Sequence, residues 1–260
     1  MAKIPPVSKK QVPKFVDSDH RHRGASSFTR GAGVYHEIRP HYPLDVLRLL
    51  SPARRVLDVG AGTGKLTEQL IGDGRFEQVY ALDPSADMLR VLAAHVSVAA
   101  WRATAEHTAS ADGLFDAVTC AQTWHWVDPM VASAEFARIT SPDGQALLVW
   151  NTLDVTVPWV HRLTRIMHSG DTLAAGFYPQ MGSPWHIAKE HRSMWSQRLS
   201  VAQVHQLMQS RSYWLRSSEK ARVRMSENLR WYLEDHLGYQ PDMVVELPYR
   251  CDGFLLEKRQ

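Results

Sequence analysis

The chain has 260 residues with a formal net charge of +3, and 44% of its residues are hydrophobic and 22% charged. This is the composition of an ordinary water-soluble globular protein, without the clustered lysines and arginines typical of a nucleic-acid binder. The two cysteines, Cys120 and Cys251, lie in no CxxC pair, so no disulfide framework is encoded. Because no apolar run reaches the ~18–20 residues that a membrane helix requires, we expect a cytoplasmic protein with no membrane span.

The first residues of the chain carry several lysines and arginines, and Pro5, Pro6 and Pro13 interrupt any periodicity. There is no apolar stretch of the signal-peptide type. We therefore expect residues 1–27 to be a disordered basic tail. The polar and aromatic segment that follows ends at Arg39–Pro43, and Pro43 is well placed in the first turn of a short helix.

Short apolar runs then alternate with amphipathic helical patterns. The runs at 55–59, 79–82, 96–101, 115–121 and 146–150 are predicted to be strands. This alternation is typical of a doubly wound parallel sheet with helices on both faces, hence of an α/β fold.

After Trp150 the pattern becomes helical, with periodic stretches at 159–168, 201–209 and 219–237. Two β-rich runs, 243–249 and 253–258, close the chain. We therefore predict an α/β core with an N-terminal lid over residues 28–150, a helical cap over 151–240, and a closing β-hairpin of the core sheet over 241–260.

A glycine-rich turn, Gly60-Ala61-Gly62-Thr63-Gly64, follows the first strand and precedes a helix, with Asp58 just ahead of it. Glycines allow a sharp turn and let a ligand approach the backbone closely. Ligands of open α/β sheets bind outside the carboxyl ends of the strands. Asp83 ends the second strand about twenty residues later, where a carboxylate can accept both hydroxyl protons of a ribose.

Spacing separates the nucleotide folds that use such a turn. A P-loop needs glycine at 59 and serine or threonine at 66, but Val59 and Leu66 stand there. The NAD fingerprint needs a small residue at 65, which is Lys65. The remaining pattern, GxGxG with an acid two residues ahead, suits an adenosine with a cationic amino-acid end, namely S-adenosylmethionine (SAM).

At this point the sequence resembles the class I SAM-dependent methyltransferases, and within them the branch related to trans-aconitate and other small-acid methyltransferases. The segments that carry the resemblance are Arg39–Pro43, Val56–Gly64, Leu82–Ser85 with Met88-Leu89, Ala103–Glu106, Ala121–Trp126, Val149–Asn151 and Leu247–Tyr249. It is strong over residues 35–150 and loose afterwards. It implies a seven-stranded mixed sheet with one antiparallel strand near its edge.

The resemblance also implies the cofactor-binding residues. Asp58 and Gly60–Gly64 would surround the methionine end, with Gln122 near it. Asp83 would hold the ribose. The residues expected beside the adenine are Pro84, Met88, Ala105 and Glu106.

Acceptor binding and catalysis have weaker candidates. Trp124, His125 and Trp126 follow the fourth strand, where the sulfonium methyl group is expected. His125 is a candidate general base or a positioning residue, and the tryptophans form either an aromatic wall or core packing. Tyr35 and Arg39 lie on the expected lid, where Arg39 is a candidate carboxylate clamp or a surface staple. Asn151 is a further pocket candidate.

Other chemistries fit less well. The candidate zinc ligands are three pairs of neighbouring histidines: His36/His41, His161/His168 and His186/His191. They lack the i, i+4 spacing and the cysteine or carboxylate partners of a zinc site, so no metal is expected. Cys120 lies within a strand and is predicted to be a buried thiol. The loop after the fourth strand lacks the Asn/Asp-Pro-Pro-aromatic motif of nucleic-acid amine methyltransferases, so we expect no nucleic-acid substrate.

We therefore expect a SAM-dependent methyltransferase of a small-molecule or lipid-like metabolite, acting at a carboxylate or hydroxyl oxygen. The alternatives are carbon methylation of a quinone-type ring and a SAM-binding partner or sensor without catalysis. The sequence does not fix the acceptor or the oligomeric state.

Overall fold

The computed structural model describes residues 36–169 and 173–259. The expected basic tail and Tyr35 lie outside the described residues. None of the described helices is long and apolar enough to cross a membrane.

The first part of the chain alternates strands and helices. The elements are α1 (Leu44–Leu47), β1 (Ala53–Val59), α2 (Lys65–Asp73), β2 (Phe76–Leu82), α3 (Ala86–His95), β3 (Ala99–Trp101), β4 (Phe115–Ala121), a 3₁₀ turn (Trp124–Trp126), α4 (Pro129–Ile139) and β5 (Thr140–Leu153). Local chemistry explains several boundaries. Ser85 and Asp128 accept backbone N–H bonds as N-caps of α3 and α4, and Pro129 starts α4.

The second part adds α5 (Pro158–Ile166), β6 (Trp185–Ser200), α6 (Val201–Gln209), α7 (Ser212–Arg216), α8 (Glu219–Arg230) continued by a π-helical turn (Trp231–His236), and β7 (Val244–Lys258). A capping box formed by Ser200 and Gln203 starts α6 directly after β6.

The seven strands of the described residues form one sheet in the order β3-β2-β1-β4-β5-β7-β6. Strands β1 to β5 pair in parallel, while β7 runs antiparallel to both of its neighbours. The order reverses between β1 and β4, which is where an open α/β sheet places its ligand. The predicted doubly wound, seven-stranded mixed sheet is confirmed.

The end of the chain differs from the predicted hairpin. Residues 244–258 form one continuous strand whose residues pair with β5 on one side and β6 on the other. Arg250-Cys251-Asp252, expected as the turn, lies inside this ladder. Burial explains the difference: Asp252 is fully buried and accepts bonds from the Arg192 and Arg250 side chains. A polar triplet can continue a strand when its charges are paired internally.

The sequence predicts helices for the insertion between β5 and β7, with only a weak strand pattern at 197–199. The structure contains a long strand there as well as helices. The middle of the insertion contains β6, a sixteen-residue edge strand of mixed polar and apolar character. Many of its side chains are half-buried or exposed, which is why no strong strand pattern shows in the sequence. The helices α5, α6 and α8 flank it and share a second apolar core with Leu247 and Tyr249 of β7.

Candidate active site

The turn after β1 has the conformation that its glycines predict. Gly60, Gly62 and Gly64 all have positive φ angles of 70°, 57° and 92°. The backbone N–H groups of Gly60 and Ala61 donate to the Leu82 carbonyl at 2.9 and 3.0 Å, which ties the turn to the end of β2. A Cβ at Gly60 would collide with Thr123, whereas a Cβ at Gly62 would meet nothing within 4 Å. The turn is therefore closed against the protein at Gly60 and open towards the cavity at Gly62.

Asp83, at the end of β2, faces this turn. One carboxylate oxygen accepts the Gly62 N–H at 2.9 Å and the other accepts the Ser85 N–H at 2.8 Å. The side chain is buried, and desolvation raises its pKa despite these two bonds. Asp83 thus orders the glycine turn and also lines the cavity.

Asp58 lies one strand away and is completely buried among polar partners. Thr67 and Thr119 donate hydroxyl bonds to its two oxygens at 2.6 and 3.0 Å. Desolvation raises its pKa to about 6, and the bonds from the two threonines only partly offset it. Each carboxylate oxygen retains accepting capacity, so a cationic ligand group at this wall would find a fixed acceptor.

A cavity of about 560 Å³ extends along the carboxyl ends of the strands. Its lining combines the expected cofactor residues with side chains from the N-terminal segment, the insertion and β7. The residues that line it are Arg39, Pro40, Tyr42, Asp58–Thr63, Lys65, Leu66, Asp83–Met88, Arg102, Thr104–Glu106, Ala121–Thr123, Trp126, Val127, Asn151, Arg211 and Tyr249.

Sheet order divides this cavity into two halves. The ends of β1, β2 and β3 form one half, which we call the cofactor half. We group the remaining lining residues as the acceptor half: those at and after the end of β4, Asn151 near the end of β5, Tyr249 within β7, and Arg39, Pro40, Tyr42 and Arg211.

Most of the predicted site residues that the structure describes line the cavity, but three of them do not. Gly64 instead begins α2 in a left-handed conformation, beside Leu92 and Val96. Trp124 is buried against Phe136 and donates its indole N–H to the Gln180 carbonyl, so it packs in the core. His125 accepts a bond from the Trp150 indole at 3.3 Å and is not among the lining residues.

The segment His36–Pro43, which we call the strap, contributes Arg39, Pro40 and Tyr42 to the cavity lining. His36 bonds the Thr63 carbonyl of the glycine turn at 3.0 Å, and Gln197 of β6 donates to the Ile38 carbonyl. The Arg39 guanidinium donates to both the side chain and the carbonyl of Ser210, each at 3.1 Å. The strap therefore connects the glycine turn to the helical insertion.

Sequence reasoning missed Arg211, Tyr249, Tyr42, Lys65 and Arg102 as lining residues. Arg211 is 5% exposed, although it lies between two helices of the insertion. Tyr249 belonged to a segment quoted for the family resemblance, which was the only signal for it. Tyr42 lies in another such segment, Arg39–Pro43. No local pattern marks Lys65, Arg102 and Arg211, because only the fold brings them to the cavity.

The residues present fit SAM. The open approach at Gly62, the acceptor at Asp83 and the polar wall at Asp58 match a ligand with a ribose and a cationic amino-acid end. Within the described ranges, no group of three or more histidine, cysteine, aspartate or glutamate side chains could hold a metal ion.

Comparisons with known proteins show the family of the chain. The methyltransferase domain family matches residues 57–148. An uncharacterized methyltransferase of Mycobacterium tuberculosis is 38% identical over 227 residues, which cover 86% of this chain and 92% of that protein. The ubiquinone biosynthesis O-methyltransferase of Hahella chejuensis is 36% identical over 151 residues, covering 55% and 61% of the two chains.

Solved structures show the same fold. A type II methyltransferase candidate from Anaeromyxobacter dehalogenans superposes with a TM-score of 0.62 at 22% identity, covering 84% of this chain and 97% of that one. The phosphoethanolamine N-methyltransferase 2 of Haemonchus contortus, solved with S-adenosyl-L-methionine, gives 0.50 at 14% identity, covering 95% and 61%. Together with the motif and the cavity, these likenesses establish that the chain belongs to the class I SAM-dependent methyltransferases.

Proposed function

We propose that this methyltransferase esterifies a carboxylate oxygen of a small organic acid. The observation that carries the proposal is the pair of arginines in the acceptor half, Arg39 and Arg211, the second of them buried. The carboxylates of the lining, Asp58, Asp83, Asp87 and Glu106, all belong to the cofactor half or its loops. An anionic acceptor would therefore enter a wall of opposite charge.

The acid–base groups of the described lining support the same choice, because its carboxylates, which could act as bases, belong to the cofactor half. The described part of the lining contains no histidine. Carboxylates titrate near pH 4 and are already ionised at neutral pH, so they need no general base. A phenol or an alcohol with a pKa of ~10 or more would need one.

The chain would act chiefly by binding and alignment. SAM supplies an electrophilic sulfonium methyl group when bound. Asp58, Asp83 and the glycine turn would hold the cofactor, with Met88 and the Ala105-Glu106 loop beside the adenine. Arg211 would fix the acceptor, while the strap keeps water out. Proximity and desolvation then provide the rate enhancement without a covalent intermediate on the protein.

Two similarities support the proposal: one supports transfer to an oxygen atom, and the other supports an acid as the acceptor molecule. The O-methyltransferase of Hahella chejuensis matches over 55% of this chain. The segments Arg39–Pro43, Ala121–Trp126 and Leu247–Tyr249 resemble the trans-aconitate branch. Placement in that branch is part of the proposal, as is a small molecule rather than a nucleic acid as acceptor.

The test is transfer of a tritiated methyl group from SAM to a panel of small mono- and dicarboxylic acids, with phenols, quinols and RNA as parallel acceptors. A carboxyl methyl ester releases volatile methanol in mild alkali, whereas an ether or a C-methyl product does not. We expect alkali-labile label from at least one acid and a rate that is flat between pH 6.5 and 8.5.

Other products would reject the proposal. Alkali-stable label on a quinol would favour a hydroxyl or ring-carbon acceptor instead. Labelled RNA would reject a small-molecule acceptor. Tight SAM binding without turnover on a broad metabolite extract would favour a partner or sensor protein.

A further inference from the structure

Asn151 lies where β5 extends past the parallel part of the sheet. The last β4–β5 pair is Ala121 with Val149, whereas β5 and β7 continue to pair as far as Leu153 and Tyr249. The last residues of β5 therefore continue beyond the end of β4, paired with β7, and form part of the wall of the acceptor half. Asn151 is buried at 4% exposure within this wall.

Both ends of the Asn151 amide contact other walls of the cavity. Its Nδ2 donates to the His41 carbonyl of the strap at 2.9 Å. Its Oδ1 accepts from the Trp195 indole N–H of β6 at 3.2 Å. The Trp195 ring in turn stacks on Tyr249, with centroids 5.2 Å apart and planes 21° from parallel, and Tyr249 lines the cavity.

The backbone of Asn151 makes a third connection. Its carbonyl accepts a bond from the Gln122 side-chain amide. Gln122 has a left-handed φ of 52°, which is uncommon for a residue other than glycine, and its N–H donates to the Val149 carbonyl at 2.8 Å. Gln122 follows β4 at the boundary between the two halves. Asn151 thus links the strap, the Trp195–Tyr249 stack and the β4 loop.

We infer that Asn151 is a positioning residue, which sets the shape of the acceptor half through the strap and Tyr249 and does not itself hold the acceptor. This differs from the direct pocket role suggested by the sequence, because the bonds to His41 and Trp195 fix the orientation of the amide and join it to two other walls of the cavity. The inference rests on the proposed function in one respect, which is that the acceptor is a small organic acid.

Two variants separate its side-chain bonds, and a third is a matched control. Asn151→Asp removes the donor to His41 and keeps an acceptor for Trp195. Trp195→Phe removes the indole donor and keeps a ring to stack on Tyr249. Trp185→Phe removes an equivalent indole bond, to the Ser133 carbonyl at 2.9 Å, from the same strand but outside the cavity lining.

The readouts are the Kd for S-adenosylhomocysteine, the hydrogen exchange of the strap, and the KM and kcat for whichever acid of the panel the wild type methylates best. Asn151→Asp should speed amide exchange in residues 36–43. Trp195→Phe should raise KM about tenfold, the effect of one lost buried hydrogen bond. Asn151→Asp should raise KM further, because its new carboxylate also repels an anionic acceptor, so strap exchange is the deciding readout for that variant. The Kd of both variants for S-adenosylhomocysteine should stay within twofold of wild type, and Trp185→Phe should change neither KM nor strap exchange.

Unchanged KM and strap exchange in Asn151→Asp and Trp195→Phe would overturn the inference. It would also fail if all three variants raised KM and Kd in parallel, because the effect would then be general destabilisation. If the wild type methylates no acid, the proposed acceptor is wrong. Strap exchange and cofactor affinity then still decide the role of Asn151: faster exchange with unchanged Kd supports it, and any other result rejects it.

Discussion

The two halves of the cavity are built in different ways. The polar groups of the cofactor half come from short segments, above all Asp58–Thr63 and Asp83–Met88, at the ends of adjacent parallel strands. The acceptor half assembles residues from five distant parts of the chain, and the Arg39–Ser210 contact that connects two of them spans 171 positions. A local motif can therefore define the cofactor and still leave the acceptor open, which is how one fold serves many substrates.

Among the substitutions that distinguish the two halves, Gly62→Val is expected to have the largest effect, on the affinity for S-adenosylhomocysteine. A Cβ at this position meets no protein atom within 4 Å, so the side chain would occupy the space of the cofactor. We expect the affinity for S-adenosylhomocysteine, measured by titration calorimetry, to fall by more than about a hundredfold, with the fold retained.

Gly74→Val is the matched control for that substitution. Gly74 also has a positive φ, of 74°, and open space around it, but it ends α2 outside the cavity. Both variants incur a similar backbone strain of ~1–2 kcal/mol. Equal loss of affinity in the two would show that strain, not the site, is responsible.

Asp83→Ala should have the next largest effect. It removes a charge-assisted acceptor worth ~1.5–3 kcal/mol, which corresponds to a ten- to hundredfold weaker binding of S-adenosylhomocysteine. Asp128→Ala is the comparison, because Asp128 also accepts two backbone N–H bonds but lies outside the lining. Normal affinity in Asp83→Ala would remove Asp83 from the cofactor site.

The pKa of Asp58 predicts that the affinity for S-adenosylhomocysteine falls about tenfold between pH 7.5 and pH 5. Because burial raises this pKa to about 6, the carboxyl group is protonated at pH 5 and ionised at pH 7.5. A cationic cofactor group binds the ionised form, so affinity should fall as the pH drops through 6, by about tenfold at one unit below the pKa. The measurement is the Kd for S-adenosylhomocysteine at both pH values. Asp58→Asn should reduce this dependence, and an unaltered pH profile in that variant would contradict the assignment.

The smallest effect is expected from His125→Ala. His125 lies outside the cavity lining and bonds Trp150, so with an acid as acceptor kcat should fall by less than about threefold. A loss of ~10²–10⁴ together with a rate that climbs with pH would instead identify His125 as a general base.

The sequence predicts the core well because its signals are local. The strand Phe115–Ala121 has the predicted bounds, and most of the predicted cofactor residues line the cavity, since strand ends and a glycine turn bring them there directly. Their roles in binding remain predictions. The full edge strand Trp185–Ser200 is not predicted, because an edge strand needs no alternation of apolar residues. The continuity of β7 is not predicted either, because the charge of Asp252 is paired with Arg192 and Arg250 only once the chain has folded. Arg211 is not predicted as a lining residue, because its place in the cavity depends on how the insertion packs.

The division of the cavity is tested most directly by measuring, in Arg211→Gln, both the Kd for S-adenosylhomocysteine and the KM for the methylated acid. Arg211 should contribute a charged hydrogen bond to the acceptor alone, so KM should rise ten- to a hundredfold while Kd stays within twofold of wild type. An Arg211→Gln variant that binds S-adenosylhomocysteine as poorly as it binds the acid, or that keeps a wild-type KM, would contradict a separate acceptor half.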